Sequence, residues 1–423
     1  MRTPLPALAA FFLALAFSAP GSAQTDQIDS LRRVLKNSPQ DYKSINNLAW
    51  SYIRINKDSS VKYARQALQF SKTQDNALEE SYAYRTLSAV AYTRRQVDSC
   101  EFYLSKISRP ITDTELLTYI TLLEARVAMS KQQYSKAQEL LDNAQSLADK
   151  HNLTRQKVNI LSTLAQLSRF KGDIEGKIRY TLQQIAVQDA AGFPPSGSSL
   201  LEVGYSYYEI RRYDKSKEYF QKAIDISKAN GERNLQATGF QGLGMVAQAQ
   251  KKYKQAHTHY DSTISIYTEL NNTFRLALAI SNKASLLGRE NKPSEALPLY
   301  QKTNNLFASL GQRCFEIKTS TAIGECLRNM GDLPQAIKHF SLLQSTVNES
   351  SLNKCPEELR YMLLNLSKTY EKAQKYKDAL QAYREFKHIS DSLLNEKNSK
   401  EVLNLNTKYE TEKKEAELAL SKE

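Results

Sequence analysis

Small and apolar residues recur along this chain at fixed distances. A small residue follows an apolar one, an aromatic or apolar residue lies three positions later, and a second small residue lies about twelve positions later. Apolar side chains three and four positions apart share one face of a helix, so this spacing predicts helices with one buried face. The first small position recurs at residues 49, 88, 125, 165, 204, 244, 284, 324 and 367. These steps of 37–43 residues predict a stack of helix pairs.

The residue types at these positions suggest how the helices of such a stack meet. Small residues at both positions allow two helices to approach closely. Large residues four positions after the second small residue are predicted to fill the groove between repeats, namely Phe220, Tyr260, Tyr300, Phe340 and Tyr383. The turns Lys171-Gly172-Asp173 and Met330-Gly331-Asp332 each place a glycine where a left-handed cap ends the first helix.

Two segments resemble the tetratricopeptide repeat. One is Val203-Gly204-x2-Tyr207 followed by Ser216-x3-Phe220-x2-Ala223, and the other is Ile323-Gly324 followed by Ala336-x3-Phe340. The resemblance covers roughly residues 38–390 and implies an all-α fold, a right-handed superhelical solenoid of about nine antiparallel helix pairs. The chain departs from that family in its period, about 40 rather than about 34 residues, and in lacking most of the terminal prolines.

The first 23 residues resemble a targeting segment. Met1-Arg2 begins the chain, an apolar run extends from Leu5 to Ala19, and Pro20-Gly21-Ser22-Ala23 ends it. A basic start, a short apolar run and small residues are typical of a secretory signal peptide, which we place at residues 1–23. An uncleaved anchor is the alternative. No later run is long and apolar enough for a membrane span, so we expect an exported protein, periplasmic or on the extracytoplasmic side of the inner membrane.

The predicted solenoid occupies residues 24–390, with one soft boundary and a distinct tail. Residues 192–199 form a Pro/Gly/Ser cluster, which is either a long loop within one array or a hinge between two sub-arrays. Residues 391–423 are charged and lack Gly and Pro, which predicts one continuous helix. A weak coiled-coil seam that forms a homodimer and a solvated helix both fit this tail.

A second resemblance comes from the tail segment Lys408-Tyr409-Glu410-Thr411-Glu412-Lys413-Lys414-Glu415. It is similar to the helix that follows the exported repeats of bacterial membrane-anchored signalling proteins, whose cytoplasmic output is a histidine kinase or a DNA-binding domain. The resemblance implies a membrane association through a continuation beyond this sequence. Any kinase activity would lie in that continuation.

Composition and motifs point away from catalysis. The formal charge of +13 is scattered among acidic residues, which favours a solvated basic surface over nucleic-acid binding and leaves acidic partners or an anionic membrane surface open. Gln241-Gly242-Leu243-Gly244 lacks the rest of a phosphate loop, and His257 and His259 point apart on a helix. We therefore predict no catalytic residue, no metal site and no cofactor. Cys314 and Cys355 begin neighbouring repeats and could approach, so they form either a disulfide or two buried or half-buried thiols.

The tetratricopeptide resemblance also implies a binding groove lined by the first helix of each repeat. The family's groove offsets are one, four and five positions after the first small residue and three before it. Carried onto this sequence, they give Arg85, Tyr92, Arg126, Arg169, Phe170, Tyr205, Tyr208, Gln248 and Arg328. Arg and Tyr are common anchors of binding surfaces, although ordinary half-exposed helix residues are the alternative interpretation.

Two functions remain open at this stage. The first is a non-catalytic protein- or peptide-binding module that forms the extracytoplasmic sensory region of a bacterial signal-transduction protein. The second is a free periplasmic scaffold or assembly factor without a signalling output. The reading frame after Glu423 would distinguish them, because a membrane span followed by an output domain fits only the first.

Overall fold

The protein, in a computed structural model, is described over residues 22–193, 195–347 and 354–395. Every regular element in these ranges is a helix, which confirms the predicted all-α class. The chain divides into two compact units, residues 1–195 (unit 1) and 196–423 (unit 2). This division falls inside the predicted soft segment 192–199. The predicted signal peptide, apart from residues 22 and 23, and residues 396–423 of the predicted tail lie outside the described ranges.

Unit 1 contains nine helices within the described ranges. They are α1 (Ser22–Asn37), α2 (Tyr42–Tyr52), α3 (Lys57–Thr73), α4 (Ala77–Thr93), α5 (Val97–Ser105), α6 (Thr114–Ser130), α7 (Tyr134–Lys150), α8 (Thr154–Phe170) and α9 (Ile174–Ala190). In the same described part of the chain, no helix has both the length and the apolar character needed to cross a membrane, in this unit or the next.

Unit 2 contains ten helices within the described ranges. They are α10 (Gly197–Glu209), α11 (Tyr213–Ala229), α12 (Arg233–Ala249), α13 (Tyr253–Glu269), α14 (Thr273–Arg289), α15 (Pro293–Ser309), α16 (Arg313–Asn329), α17 (Leu333–Ser345), α18 (Pro356–Lys372) and α19 (376–395). The boundary predicted between residues 390 and 391 lies within α19, so the helix crosses it without a break.

The helices alternate between two kinds, as the repeat predicts. Each first small position lies on one of α2, α4, α6, α8, α10, α12, α14, α16 and α18, which we call A helices. The helix that follows each of them is its B helix. Within each unit, neighbouring helices pack against each other, and several A helices also contact the next A helix. Side chains from consecutive A helices therefore come close together on one side of a unit.

The turns between helices repeat a left-handed residue every 20 positions or so. In unit 1 it occurs at Gln132, Asn152, Gly172 and Gly192, and the series continues in unit 2. At Gly172, with φ of 74°, the Asp173 amide donates to the Ser168 carbonyl at 2.8 Å, which is the long hydrogen bond of a Schellman cap. The predicted glycine caps at Gly172 and Gly331 are thus confirmed. The 40-residue period consists of two nearly equal helix-and-turn halves.

Glycines on the A helices of unit 2 lie directly against aromatic rings of the B helices. A Cβ placed on Gly244 would lie 2.6 Å from Cε1 of Tyr260, and one on Gly324 would lie 2.5 Å from the Phe340 ring. The rings of Tyr260 and Phe340 are fully buried. Because these separations are shorter than carbon atoms tolerate, only glycine fits, which confirms the predicted close approach.

The prediction that all five large residues fill grooves is wrong for one of them. Phe220, Tyr260 and Phe340 are buried, and Tyr300 is half-buried. The Tyr383 side chain is 47% exposed. Within the described residues, no further A helix follows α19, and its ring therefore lacks the neighbour that covers the others.

Of the two alternatives for Cys314 and Cys355, the structure has the disulfide. Cys314, in the first turn of α16, is bonded to Cys355, at the start of α18, with a Cα–Cα distance of 5.3 Å. Cys100 and Cys326 are buried free thiols, and burial raises the pKa of Cys326 to about 11. The bridge spans α17 and joins two A helices of unit 2.

Candidate functional site

The predicted groove residues all lie on A helices, but in two separate units. Arg85 and Tyr92 belong to α4, Arg126 to α6, and Arg169 and Phe170 to α8. The others, in unit 2, are Tyr205, Tyr208, Gln248 and Arg328. The contacts of each side chain decide which of them remains available to a ligand.

Arg85 lies among three aromatic rings from three consecutive A helices. Its guanidinium carbon is 3.9 Å from the ring centre of Trp50 on α2 and 5.8 Å from that of Tyr119 on α6. The ring of Tyr82, one turn earlier on α4, lies at 4.9 Å. Trp50 and Tyr119 also meet edge to face at 5.0 Å. We call Trp50, Tyr82, Arg85 and Tyr119 the arginine–aromatic cluster.

The guanidinium of Arg85 forms no salt bridge with any of the described residues. Its Nε atom is fully buried and makes no hydrogen bond. Burial lowers the pKa of the guanidinium from its usual value, although it stays protonated because an arginine in a protein does not lose its proton. Contact with aromatic faces stabilises a cation but does not use its N–H donors. Arg85 therefore keeps an Nε donor without a hydrogen-bond partner in the described part of the chain.

Three further arginines add positive charge beside the cluster. Burial raises the pKa of the Tyr119 hydroxyl, while Arg126, Arg85, Arg155 and Arg54 each act in the opposite direction through their charge. Arg54 and Arg155 are exposed. Glu115 is the acidic group that acts on Arg85, and it accepts a hydrogen bond from Gln156 at 2.6 Å. The region thus carries more positive than negative charge.

Local hydrogen bonds hold the cluster in place. Asp113 caps the start of α6 by accepting from the Leu116 amide at 2.7 Å. The other oxygen of the same carboxylate accepts from the Tyr82 hydroxyl at 3.0 Å. Burial, and after it this hydrogen bond, raise the pKa of Tyr82, so its hydroxyl stays neutral. The cap therefore fixes one ring of the cluster relative to the next A helix.

Four of the predicted groove residues are engaged in hydrogen bonds between helices, and one of them is Tyr205, whose hydroxyl donates to the Thr238 carbonyl on α12 at 3.4 Å. Arg126 donates from Nε and Nη2 to Oγ1 of Thr163 on the next A helix, at 3.2 and 3.1 Å. Arg328 donates to the carbonyl and side-chain oxygens of Asn365, both at 3.1 Å. Gln248 accepts from the Tyr260 hydroxyl at 2.8 Å. These side chains join neighbouring helices, which the spacing alone did not indicate.

The aromatic residues of the predicted set range from half-buried to exposed. Arg169 is exposed, and Phe170, 60% exposed, stacks on Tyr134 at 6.2 Å between ring centres. Tyr205 packs edge to face on Phe220, and burial raises its pKa to about 12. Tyr208 lies 5.7 Å from the Tyr213 ring. Tyr92 lies 6.0 Å from the Arg126 guanidinium. Of the nine, Arg85, Tyr92 and Arg126 share one neighbourhood.

Three residues of the cluster are missing from the sequence-based set. Trp50 lies one position after the first small residue of its repeat, so the same offset rule could have found it. Tyr82 and Tyr119 both lie six positions before the first small residue, an offset that the family groove does not include. Their role follows only from the contact of rings across α2, α4 and α6. Within the described ranges, no group of three His, Cys, Asp or Glu side chains has the arrangement of a metal site.

Comparison with known proteins supports the repeat assignment. Residues 196–269 match the family model described as tetratricopeptide repeat. The chain is 23% identical over 228 residues to the tetratricopeptide repeat protein 19 homolog, mitochondrial, of Drosophila melanogaster, covering 49% of this chain. It spans 61% of that relative, less than two thirds of its length.

Two solved structures share the fold at low identity. One is a signal transduction ATPase with numerous domains from Pyrococcus horikoshii, which has a tetratricopeptide repeat sensor. The two chains are 14% identical with a TM-score of 0.57, and the match covers 82% of this chain and 56% of that one. The other is aspartyl phosphate phosphatase F from Bacillus subtilis, with 14% identity and a TM-score of 0.50, over 83% of this chain and 94% of that one. Residues 196–269 thus match the tetratricopeptide-repeat family model, and the chain shares its helical-repeat fold with these two solved structures.

Proposed function

We propose that this protein is a non-catalytic module that binds a peptide or protein segment along the A helices of unit 1. The observation that carries this proposal is the arginine–aromatic cluster, in which the Nε donor of Arg85 has no hydrogen-bond partner and lies beside Trp50 and Tyr119. Arginine and large aromatic side chains dominate the energetics of protein interfaces. Their convergence from α2, α4 and α6 gives one anchoring point on a face built from successive helices.

The neighbouring side chains extend this anchoring point along the unit. Tyr92 and Arg126 follow on α4 and α6, and Arg169 and Phe170 follow on α8. A row of half-exposed polar and aromatic side chains on parallel A helices suits an extended segment better than a small molecule. The name of the Bacillus subtilis neighbour refers to a phosphatase, but a likeness at 14% identity concerns the fold and gives no reason to assign that activity here.

We further propose that the module acts outside the cytoplasm, as the sensory region of an anchored bacterial signalling protein. The pattern of residues 1–23 supports export. The Cys314–Cys355 disulfide supports it independently, because such bridges persist in oxidising compartments. A free periplasmic scaffold agrees with the same two observations and remains the second candidate. Sequencing the gene beyond Glu423 separates them.

The binding proposal can be tested through the protein's own fluorescence. Trp50 is the single tryptophan of the chain, so its emission reports on the cluster without a label. A displayed library of peptides should yield binders that change Trp50 emission on titration and compete with one another. Replacing Phe170 by Ala should weaken those that extend along α8. A set of binders that leaves Trp50 emission unchanged, and resists substitution in unit 1, would contradict the proposed site.

The location can be tested on its own. Residues 1–23 fused to a reporter that is active only outside the cytoplasm should give activity in a bacterial host. N-terminal sequencing of the exported protein should begin at Gln24. A protein retained in the cytoplasm with free thiols at Cys314 and Cys355 would exclude the extracytoplasmic role while leaving the binding proposal open to its own test.

A further inference from the structure

Arg85 is a half-buried cation that forms no ion pair within the described residues. Burying an unpaired charge is unfavourable, so buried arginines normally meet a carboxylate or several acceptors. Here the guanidinium meets three aromatic rings, and its Nε has no acceptor. We infer that the arginine–aromatic cluster is a recognition site for a doubly charged oxyanionic group of the bound partner. This inference rests on the proposed binding function and specifies which chemistry the partner must carry.

The geometry of Arg85 favours an oxygen anion over other ligand chemistry. The rings of Trp50 and Tyr82 approach the guanidinium carbon, at 3.9 and 4.9 Å, and leave its Nε–H without an acceptor. The guanidinium fork matches the two oxygens of a carboxylate or phosphate in a bidentate pair. A positively charged or purely apolar group would instead leave this buried donor unsatisfied.

The charge around the cluster indicates that the bound group carries more than one negative charge. Arg54, Arg126 and Arg155 all act electrostatically on the Tyr119 hydroxyl, as Arg85 does. Arg126 donates to the neutral Thr163 hydroxyl, a contact that does not compensate its charge. Arg54 and Arg155 have no ion-pair partner in the described residues. With Glu115 acting on Arg85 and the Asp113 carboxylate on the Tyr82 hydroxyl, four positive charges face two negative charges, so two positive charges remain uncompensated.

Two sources can supply the required chemistry. One is a pair of neighbouring acidic side chains in a bound peptide, and the other is a small oxyanion such as phosphate. Because the cluster lies on a face suited to an extended segment, the acidic peptide is the source that the structure favours. Free phosphate is then a competitor for the same donors.

The experiment uses Trp50 emission and calorimetry on the full chain with four probes. These are a peptide containing two adjacent glutamates with both termini blocked, the same peptide with glutamines, inorganic phosphate and inorganic sulfate. The glutamate peptide should bind at least about tenfold more tightly than the glutamine peptide, since a hydrogen bond to a charged group contributes about 1.5–3 kcal/mol. Phosphate and sulfate should compete with it, and added salt should weaken it.

Three variants assign the effect to the cluster. Arg85→Gln should weaken the glutamate peptide by about tenfold or more. Arg155→Gln removes an exposed charge without disturbing packing, and should weaken it about threefold. Arg65→Gln, on the B helix α3, changes the net charge equally and should have no effect. Circular dichroism shows whether Arg85→Gln folds. If it does not, the proposal is tested by comparing the affinity of Arg155→Gln for the glutamate peptide with that of Arg65→Gln.

The outcomes separate the two proposals. Equal binding of the glutamate and glutamine peptides, with Trp50 emission changing in both, would overturn the dianion site and leave peptide binding intact. Binding of phosphate that depends on Arg85, with neither this peptide nor any library peptide bound, would support the oxyanion chemistry and overturn the peptide-binding function. An equal response of the Arg155→Gln and Arg65→Gln variants would overturn the assignment to this cluster.

Discussion

The two units use different residues where an A helix packs against its B helix. In unit 2, Gly204, Gly244 and Gly324 lie against the rings of Phe220, Tyr260 and Phe340. In unit 1, the equivalent first positions hold Ala49, Ser88, Ala125 and Ala165, and the facing residues include Leu104 and Leu141, which are aliphatic. The junction of each pair thus keeps a similar volume, since removing a methyl group from one helix makes room for a ring on the other.

One junction of unit 2 has an alanine in place of the glycine, and its ring is correspondingly less buried. Ala284 in unit 2 occupies a first small position but faces Tyr300, and the Tyr300 side chain is half-buried, unlike the fully buried Tyr260. A single Cβ at the junction therefore coincides with a ring that is less buried. Unit 1 has no aromatic residue at these inner junction positions. Its large rings Trp50, Tyr82 and Tyr119 instead lie around Arg85, between successive A helices.

Arginines on A helices also differ between the units. Arg328 in unit 2 donates to Asn365 and joins α16 to α18. Arg85 in unit 1 lies between aromatic rings and has no acceptor at Nε. The comparison shows that a position in the repeat determines which way a side chain points, while its neighbours determine whether it is structural or available for binding.

The largest expected effect concerns the covalent bridge that unit 2 has. The double variant Cys314→Ser, Cys355→Ser should lower the stability of unit 2 by about 4 kcal/mol, because the bridge closes a loop with a sequence separation of 41 residues. Far-UV circular dichroism during denaturation should show an earlier loss of helix. Trp50 fluorescence, which follows unit 1, should keep its midpoint. Equal shifts of both signals would show that the units do not unfold separately, and wild-type protein under reducing conditions serves as the control.

The next largest loss of stability is expected when leucine replaces a glycine that lies against an aromatic ring. A glycine without such a ring should tolerate the same change. Gly244→Leu should cost about 2–3 kcal/mol, since even the first carbon of the side chain would lie 2.6 Å from the Tyr260 ring. Gly288→Leu is the matched control, because a Cβ there meets nothing within 4 Å. Both are measured by denaturant unfolding. Equal costs at the two positions would mean that the glycine–ring contact does not constrain unit 2.

The different contacts of Arg328 and Arg85 predict different losses of stability when each is replaced by methionine. Arg328→Met should cost about 1–2 kcal/mol, because it removes the donor to Asn365 and leaves two acceptors without it. Arg85→Met should change stability by no more than about 0.5 kcal/mol, since it removes a half-buried charge that forms no ion pair within the described residues as well as its aromatic contacts. Thermal unfolding of both variants checks this. A loss at Arg85 as large as that at Arg328 would mean that Arg85 is structural.

The smallest effect tests backbone freedom alone. Gly288→Ala, in the last turn of α14, should stabilise the protein by about 0.5 kcal/mol, because alanine is the better helix former and nothing obstructs its methyl group. Gly244→Ala should destabilise it in the same assay, since its methyl group would meet the Tyr260 ring. If both substitutions stabilise, the ring of Tyr260 moves aside more easily than the junction suggests.

Much of the fold could be predicted from the sequence because its signals are local. The helix pairs follow from the period of small residues, and the left-handed caps at Gly172 and Gly331 follow from single turns. The site was only partly predictable. The offset that places Arg85 on the groove side also selects Arg126 and Arg328, whose hydrogen-bond partners lie 37 residues away in each case. No spacing rule shows which arginine finds such a partner.

The sequence by itself determined the all-helical repeat, the register of the A and B helices and the glycines that packing requires. The tertiary structure decided that Cys314 bonds to Cys355, that Tyr383 stays exposed, and that Trp50, Tyr82 and Tyr119 surround Arg85. The physical reason is the range of the interactions. Helix periodicity and caps act within a few residues of the chain, whereas burial, charge pairing and ring contacts depend on side chains that only the packing of separate helices brings together.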